Sequence, residues 1–281
     1  MGLLKDRLHR WVDAQFSPEF LEKFRALPTH QNEYGYDSFG FHREEAKIAA
    51  LLAQFFHRDY FRVESHGVAE VPAGRVLLIA NHSGQLPYDG IAIAGAMLFD
   101  HDPPRVVRAM VEKLIPSIPF LSYLLARWGQ ITGTPENCIR LLHDGEAILV
   151  FPEGSRGISK PFTRRYQMTD FGLGFMRLAL ETKTPIVPVA VIGAEEQLPA
   201  FNMKPLARLL DLPAFPVLPI PPFLPLFPFP TKYRIYFGEP LQFEGDSDDE
   251  DEEIAEKVKV VRNRIQSMIQ VGLEERKHIF W

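Results

Sequence analysis

The spacing of apolar residues along the chain changes character after about residue 60. Before it, Leu4, Leu8, Trp11, Val12 and Phe16 fall on one face at helical spacing, and Phe20, Leu21 and Phe24 follow a break at Pro18. A further helix is predicted over 44–57. Beyond it, short β-branched apolar runs recur at 60–63, 76–80, 105–110, 147–151, 186–192 and 232–237. Helical stretches at 91–99, 120–128, 136–143, 171–182 and 254–270 separate or follow them. That alternation predicts an α/β fold, a central mostly parallel or mixed sheet flanked by helices, with an N-terminal helical extension. The expected division is a helical segment over 1–58 and an α/β domain over 59–281. The extension reads either as a helical lid packed on the core or as an amphipathic segment that also touches membrane, since Trp and Phe stand opposite Lys and Arg.

Residues 213–230 break the pattern: all 18 are apolar and eight are proline. Their length suits a membrane span, but repeated proline would leave carbonyls unpaired in lipid. Two readings stand, a buried extended strap or a loop presenting Phe and Leu to a bilayer or an apolar substrate.

Charge changes the picture once. The formal net charge is −5, yet eight carboxylates lie between Glu244 and Glu253, and without them the body is at +3. Acidic residues ahead of the 254–270 helix suit the positive end of its dipole. The small basic excess is compatible with an anionic surface or substrate, and no nucleic-acid partner is expected. Cys138 is the single cysteine, so no internal disulfide is possible; with no secretory signal apparent, a reducing cytoplasm is expected. No His, Cys or carboxylate set has zinc-site spacing, so no metal is expected.

Two segments carry candidate chemistry. The 76–80 run leads into Asn81-His82-Ser83-Gly84-Gln85-Leu86-Pro87-Tyr88-Asp89-Gly90, placing a histidine at a strand end and an acid where the next helix begins. The 147–151 run leads into Pro152-Glu153-Gly154-Ser155-Arg156-Gly157, whose glycines and guanidinium suit phosphate. A serine-hydrolase elbow is excluded, because Glu153 stands where that motif needs glycine.

Taken together, these blocks resemble the glycerolipid acyltransferase family, the lysophosphatidate and glycerol-phosphate acyltransferase group. Glu112-Lys113-Leu114-Ile115-Pro116-Ser117-Ile118-Pro119-Phe120 with Gly129-Gln130-Ile131 is similar to its second block, and Ile186-Val187-Pro188-Val189-Ala190-Val191-Ile192-Gly193 to its fourth. The resemblance implies an O-acyltransferase moving a fatty acyl group from acyl-CoA or acyl carrier protein, both substrates rather than cofactors, to a glycerolipid hydroxyl. His82 would be the general base and Asp89 its orienter. Lys113, Glu153, Gly154, Ser155 and Arg156 would bind substrate, and backbone N–H groups around Ser83-Gly84 or Glu153-Gly154 would face the oxyanion. The expected partner is a lipid surface on the cytoplasmic side of a membrane, with the oligomeric state open. Two departures stand out. Six residues separate His82 from Asp89 where the family has four, and Thr132-Gly133-Thr134 replaces an arginine tied to acceptor phosphate, which favours a neutral acceptor. A hydrolase using the same pair, or a lipid-binding module without catalysis, are the alternatives.

Overall fold

The computed structural model describes residues 2–28, 31–83, 86–111, 120–158, 160–199, 201–202, 216–217 and 228–281. Its strands are β1 (Glu64–His66), β2 (Val76–Ala80), β3 (Val107–Val111), β4 (Ile131–Thr132), β5 (Ala147–Val150), β6 (Ile186–Ile192), the short pair β7 (Phe201–Asn202) and β8 (Pro216–Val217), and β9 (Arg234–Phe237). Seven of them form one sheet in the order β1-β9-β6-β2-β5-β3-β4. Every pairing in it is parallel except β6 with β9.

β2 and β6 are buried at every position, which is why they read as unbroken apolar runs. Their residues divide by parity. Leu77, Ile79, Ile148 and Ala190 face α6 (Pro135–His143), α8 (Gly174–Thr182) and the C-terminal helix Asp251–Glu275, while Val76, Leu78, Ala80, Leu149 and Val189 face α4 (Tyr88–Phe99). The result is a sheet between two helical layers, with β2 at the centre. The C-terminal helix starts three residues earlier than the apolar period suggests, because Asp251, Glu252 and Glu253 fill its first turn.

The extension comprises α1 (Gly2–Asp13), α2 (Pro18–Arg25) and α3 (Arg43–Gln54). Val12, Phe16, Phe24, Phe41, Ala46 and Leu98 form a third cluster that joins it to α4. Buried Lys47 pairs with Asp13 and Glu44, each at 2.7 Å, tying α3 to α1. The apolar face predicted for α1 divides: Val12 and Phe16 turn inward, whereas Leu8 and Trp11 are 45% and 57% exposed. Among the described residues no helix is long and apolar enough to cross a membrane. Most of 213–230 lies outside the described residues; within it, Pro228 is buried and accepts a hydrogen bond from the Tyr60 hydroxyl, and Phe229 is exposed.

One expected strand is corrected. Residues 60–63 end a π-helical turn, Phe55–Tyr60, and Arg62 adopts φ +46°, which no strand allows. Here hydrophobicity serves an aromatic plug: Phe61 stacks on Tyr233 at 4.3 Å and touches Phe56 and Tyr88. The strand follows at Glu64. The helix predicted over 171–182 begins at Gly174.

Gly272 lets the C-terminal helix lie close on the sheet. A Cβ there would collide with Ile192 and come within 2.6 Å of the Tyr236 ring. Gly272→Ala, which would raise helix propensity by about 1 kcal/mol on an open face, is expected instead to destabilise by about 1–3 kcal/mol through overpacking. The midpoint of urea unfolding, falling at unchanged slope, is the measurement.

Candidate active site

Parallel strands β2 and β5 end side by side, with Ile79 opposite Val150, so the loops after them meet at one edge of the sheet. His82 comes from the first and Glu153 from the second. Side chains continue the ladder where the backbones part. The His82 N–H donates to Glu153 Oε1 at 3.0 Å. On the other flank the Asn81 amide accepts from Val191 N–H at 2.8 Å and donates to the Val191 carbonyl at 3.1 Å. The strand carrying His82 is thus held to both neighbours beyond its last backbone pair.

The imidazole stacks on Phe151 at 4.1 Å and donates from Nδ1 to Asp89 Oδ2 at 2.7 Å. Asp89 is fully buried in the first turn of α4, where the helix dipole favours a carboxylate. Its Oδ2 also accepts from Ser83 N–H at 2.9 Å and its Oδ1 from Gly90 N–H at 2.8 Å. The six-residue interval therefore closes onto the histidine through a helix start. The His82 side chain is 13% exposed, so the ring retains an open edge. Burial disfavours its charged form, but the Asp89 charge and hydrogen bond, with Glu153, outweigh that and hold its pKa above the ordinary 6.5; Lys160 pulls the other way.

Glu153, expected to face substrate, turns inward. Its side chain is fully buried, and Oε2 accepts from Thr169 N–H at 2.7 Å, Thr169 Oγ1 at 3.0 Å and Lys160 Nζ at 3.4 Å. It fixes the His82 backbone and has no surface for a ligand. Gly154 takes φ +56° in the turn, and its N–H donates to the Phe151 carbonyl at 3.0 Å. Of the backbone groups expected to face the oxyanion, Ser83 and Gly154 N–H are thus already engaged; Gly84 lies outside the described residues, as does Lys113. Ser155 opens α7 (Ser155–Ile158), and exposed Arg156 donates to the Asp170 carbonyl at 3.1 Å.

Sequence reading missed Asn81, Lys160, Thr169 and Glu195. Lys160 also pairs with Glu195 Oε1 at 3.1 Å, just beyond β6. The available signal was Gly193-Ala194-Glu195-Glu196 directly after an apolar strand, a place where buried acids earn suspicion.

A family model described as Acyltransferase matches residues 62–192, which span β1 through β6 and both loops. An uncharacterised protein of Mycobacterium tuberculosis is 38% identical over 260 residues, 89% of this chain and 72% of that one. A human protein named DGAT1/2-independent enzyme synthesizing storage lipids is 28% identical over 207 residues, 73% of this chain and 60% of its own length. The crystal structure of the 1-acyl-sn-glycerophosphate acyltransferase PlsC of Thermotoga maritima superposes with a TM-score of 0.55 at 17% identity, covering 84% of this chain and 83% of that one. At that identity the likeness speaks to the fold.

Gly157 packs where a Cβ would come within 2.8 Å of His82 Cβ and 3.1 Å of its carbonyl. Gly157→Ala is expected to displace the imidazole and lower the turnover of this site on the order of 10²-fold. Steady-state rates of the folded variant, with its circular dichroism unchanged, measure this.

Proposed function

The chain belongs to the glycerolipid acyltransferase family, and we propose that it moves a fatty acyl group from an acyl thioester, acyl-CoA or acyl carrier protein, to the hydroxyl of a neutral glycerolipid such as mono- or diacylglycerol. The observation that carries the mechanism is the His82 Nδ1–Asp89 Oδ2 hydrogen bond of 2.7 Å at an open edge of the sheet.

Asp89 holds the proton on Nδ1, so Nε2 is the basic nitrogen. It takes the proton of the acceptor hydroxyl as that oxygen attacks the thioester carbonyl. The tetrahedral intermediate then collapses by breaking the carbon–sulfur bond, and the leaving thiolate takes the proton from Nε2. The acceptor oxygen fills the place a serine has in a triad, so no acyl-enzyme forms. A neutral acceptor is supported by Thr132-Gly133-Thr134 in place of an arginine and by the storage-lipid enzyme among the relatives.

Thiol release from palmitoyl-CoA or oleoyl-CoA, with lysophosphatidate, monoacylglycerol, diacylglycerol or no acceptor, tests the reading. Release is expected to depend on acceptor, to be greatest with a neutral one, and to fall on the order of 10²- to 10⁴-fold in His82→Ala. Acceptor-independent release would make the protein a hydrolase. Because the base must be neutral and its pKa is raised, the acidic limb of the rate profile is expected above pH 6.5.

Peripheral attachment to the cytoplasmic face of a membrane is the companion proposal, supported by the outward Leu8 and Trp11. In flotation with anionic liposomes, Leu8→Asp/Trp11→Asp is expected to reduce the bound fraction severalfold. Unchanged flotation would remove α1 from the membrane contact.

A further inference from the structure

The three strands at the centre of the sheet, β6, β2 and β5, each deliver one titratable residue to the same edge: Glu195, His82 and Glu153. Lys160 bridges the outer two, 3.1 Å from Glu195 Oε1 and 3.4 Å from Glu153 Oε2, so the ammonium straddles the strand that bears the histidine. None of the three bridging groups has a useful share of solvent: Glu153 is enclosed, and Lys160 and Glu195 are each 6% exposed.

This arrangement holds more than a stabilising ion pair requires. A buried lysine needs one carboxylate, and a second adds desolvation cost. Glu195 reaches its place through Gly193, whose φ of +106° and contact with the Lys232 carbonyl leave no room for a Cβ, so the chain turns sharply from β6 into α9 (Ala194–Gln197). The neighbouring Glu196 is separately engaged, accepting from the Tyr166 hydroxyl and from Arg276 at 2.9 Å. Glu195 is therefore left to Lys160 and to the Tyr166 backbone N–H. Through Lys160 it bears on Glu153, and Glu153 Oε1 holds the His82 N–H.

We infer that Glu195 is a positioning residue of the acyl-transfer site: acting through Lys160, it sets the seat of Glu153 and thereby the placement of His82. The inference rests on His82 as the base. Burial pushes the Glu195 carboxyl up to about 7 against the opposing Lys160, so its charge changes near neutral pH. The groups that bear on it are Lys160, Glu153 and the Tyr166 backbone, all from the loop after β5, while Glu196 beside it is turned to the Tyr166 hydroxyl and Arg276.

The test compares Glu195→Gln, Lys160→Met, the double variant and His82→Ala for acceptor-dependent thiol release from palmitoyl-CoA, with circular dichroism and thermal melting to establish folding. Glu195→Gln keeps size and an acceptor oxygen, so it carries the test should Lys160→Met fail to fold. Expected is a loss in kcat of roughly tenfold for each single variant with KM little changed, and a double variant no worse than Lys160→Met, since the two act as one unit. Lys160→Met is further expected to move the acidic limb of the pH profile to higher pH, because the ammonium holds the His82 pKa down. Wild-type kcat in folded Glu195→Gln, with His82→Ala inactive, would overturn this inference alone. So would multiplicative losses in the double variant or an effect confined to KM. Full turnover by His82→Ala would overturn the base assignment and this inference together.

Discussion

The buried Glu153 carboxylate is the constraint on which the site depends. Enclosing a carboxylate costs several kcal/mol unless its oxygens are matched, and here four donors from two loops converge on it: the His82 N–H, the Thr169 N–H and hydroxyl, and the Lys160 ammonium. The His82 N–H reaches it only through the sheet register that places β2 beside β5. The register of β2 with β6 likewise sets Asn81 against Val191. Backbone pairing stops at the strand ends, and side-chain hydrogen bonds on both flanks carry the order one residue further, to the position that bears the imidazole.

What was legible in the sequence follows from burial. β2, β5 and β6 lie under helices, so their apolar runs are nearly continuous and their ends are marked by the first polar residues, Asn81 and Glu153 among them. His82 and Asp89 were legible by residue type and by their places at a strand end and a helix start. The inward turn of Glu153 was not, because a carboxylate beside glycines in a loop looks the same whether it meets solvent or an enclosed lysine. Lys160 and Glu195 were invisible for a related reason: they lie 35 residues apart and are joined only by the β5–β2–β6 order. The 60–63 run was misread because aromatic residues packing as a plug share their composition with a strand.

The departure in spacing between His82 and Asp89 illustrates how geometry absorbs sequence change. A helix start offers a free N–H, and its dipole favours a negative charge. Asp89 is seated there by the Gly90 and Ser83 N–H groups as well as by the histidine, so its carboxylate has three partners fixing two oxygens. The length of the loop between the two residues matters less than where α4 begins, and Pro87 immediately before that helix defines the beginning.

Charge balance bears on the acceptor. Among the described residues the edge around His82 gathers three carboxyl groups, Asp89, Glu153 and Glu195, against the single ammonium of Lys160. Each carboxyl meets either the imidazole or that lysine, so neither is an unengaged cation for a phosphate. The exposed guanidinium of Arg156 is directed to the Asp170 carbonyl. An anionic headgroup beside this imidazole would meet the like charge of the acids at short range in a partly water-excluded site, where such repulsion is strong. A hydroxyl on an uncharged headgroup meets no such opposition, and under the proposed mechanism the raised basicity that Asp89 gives His82 would act on it directly. The charge that holds the histidine in place thus also supports a neutral acceptor.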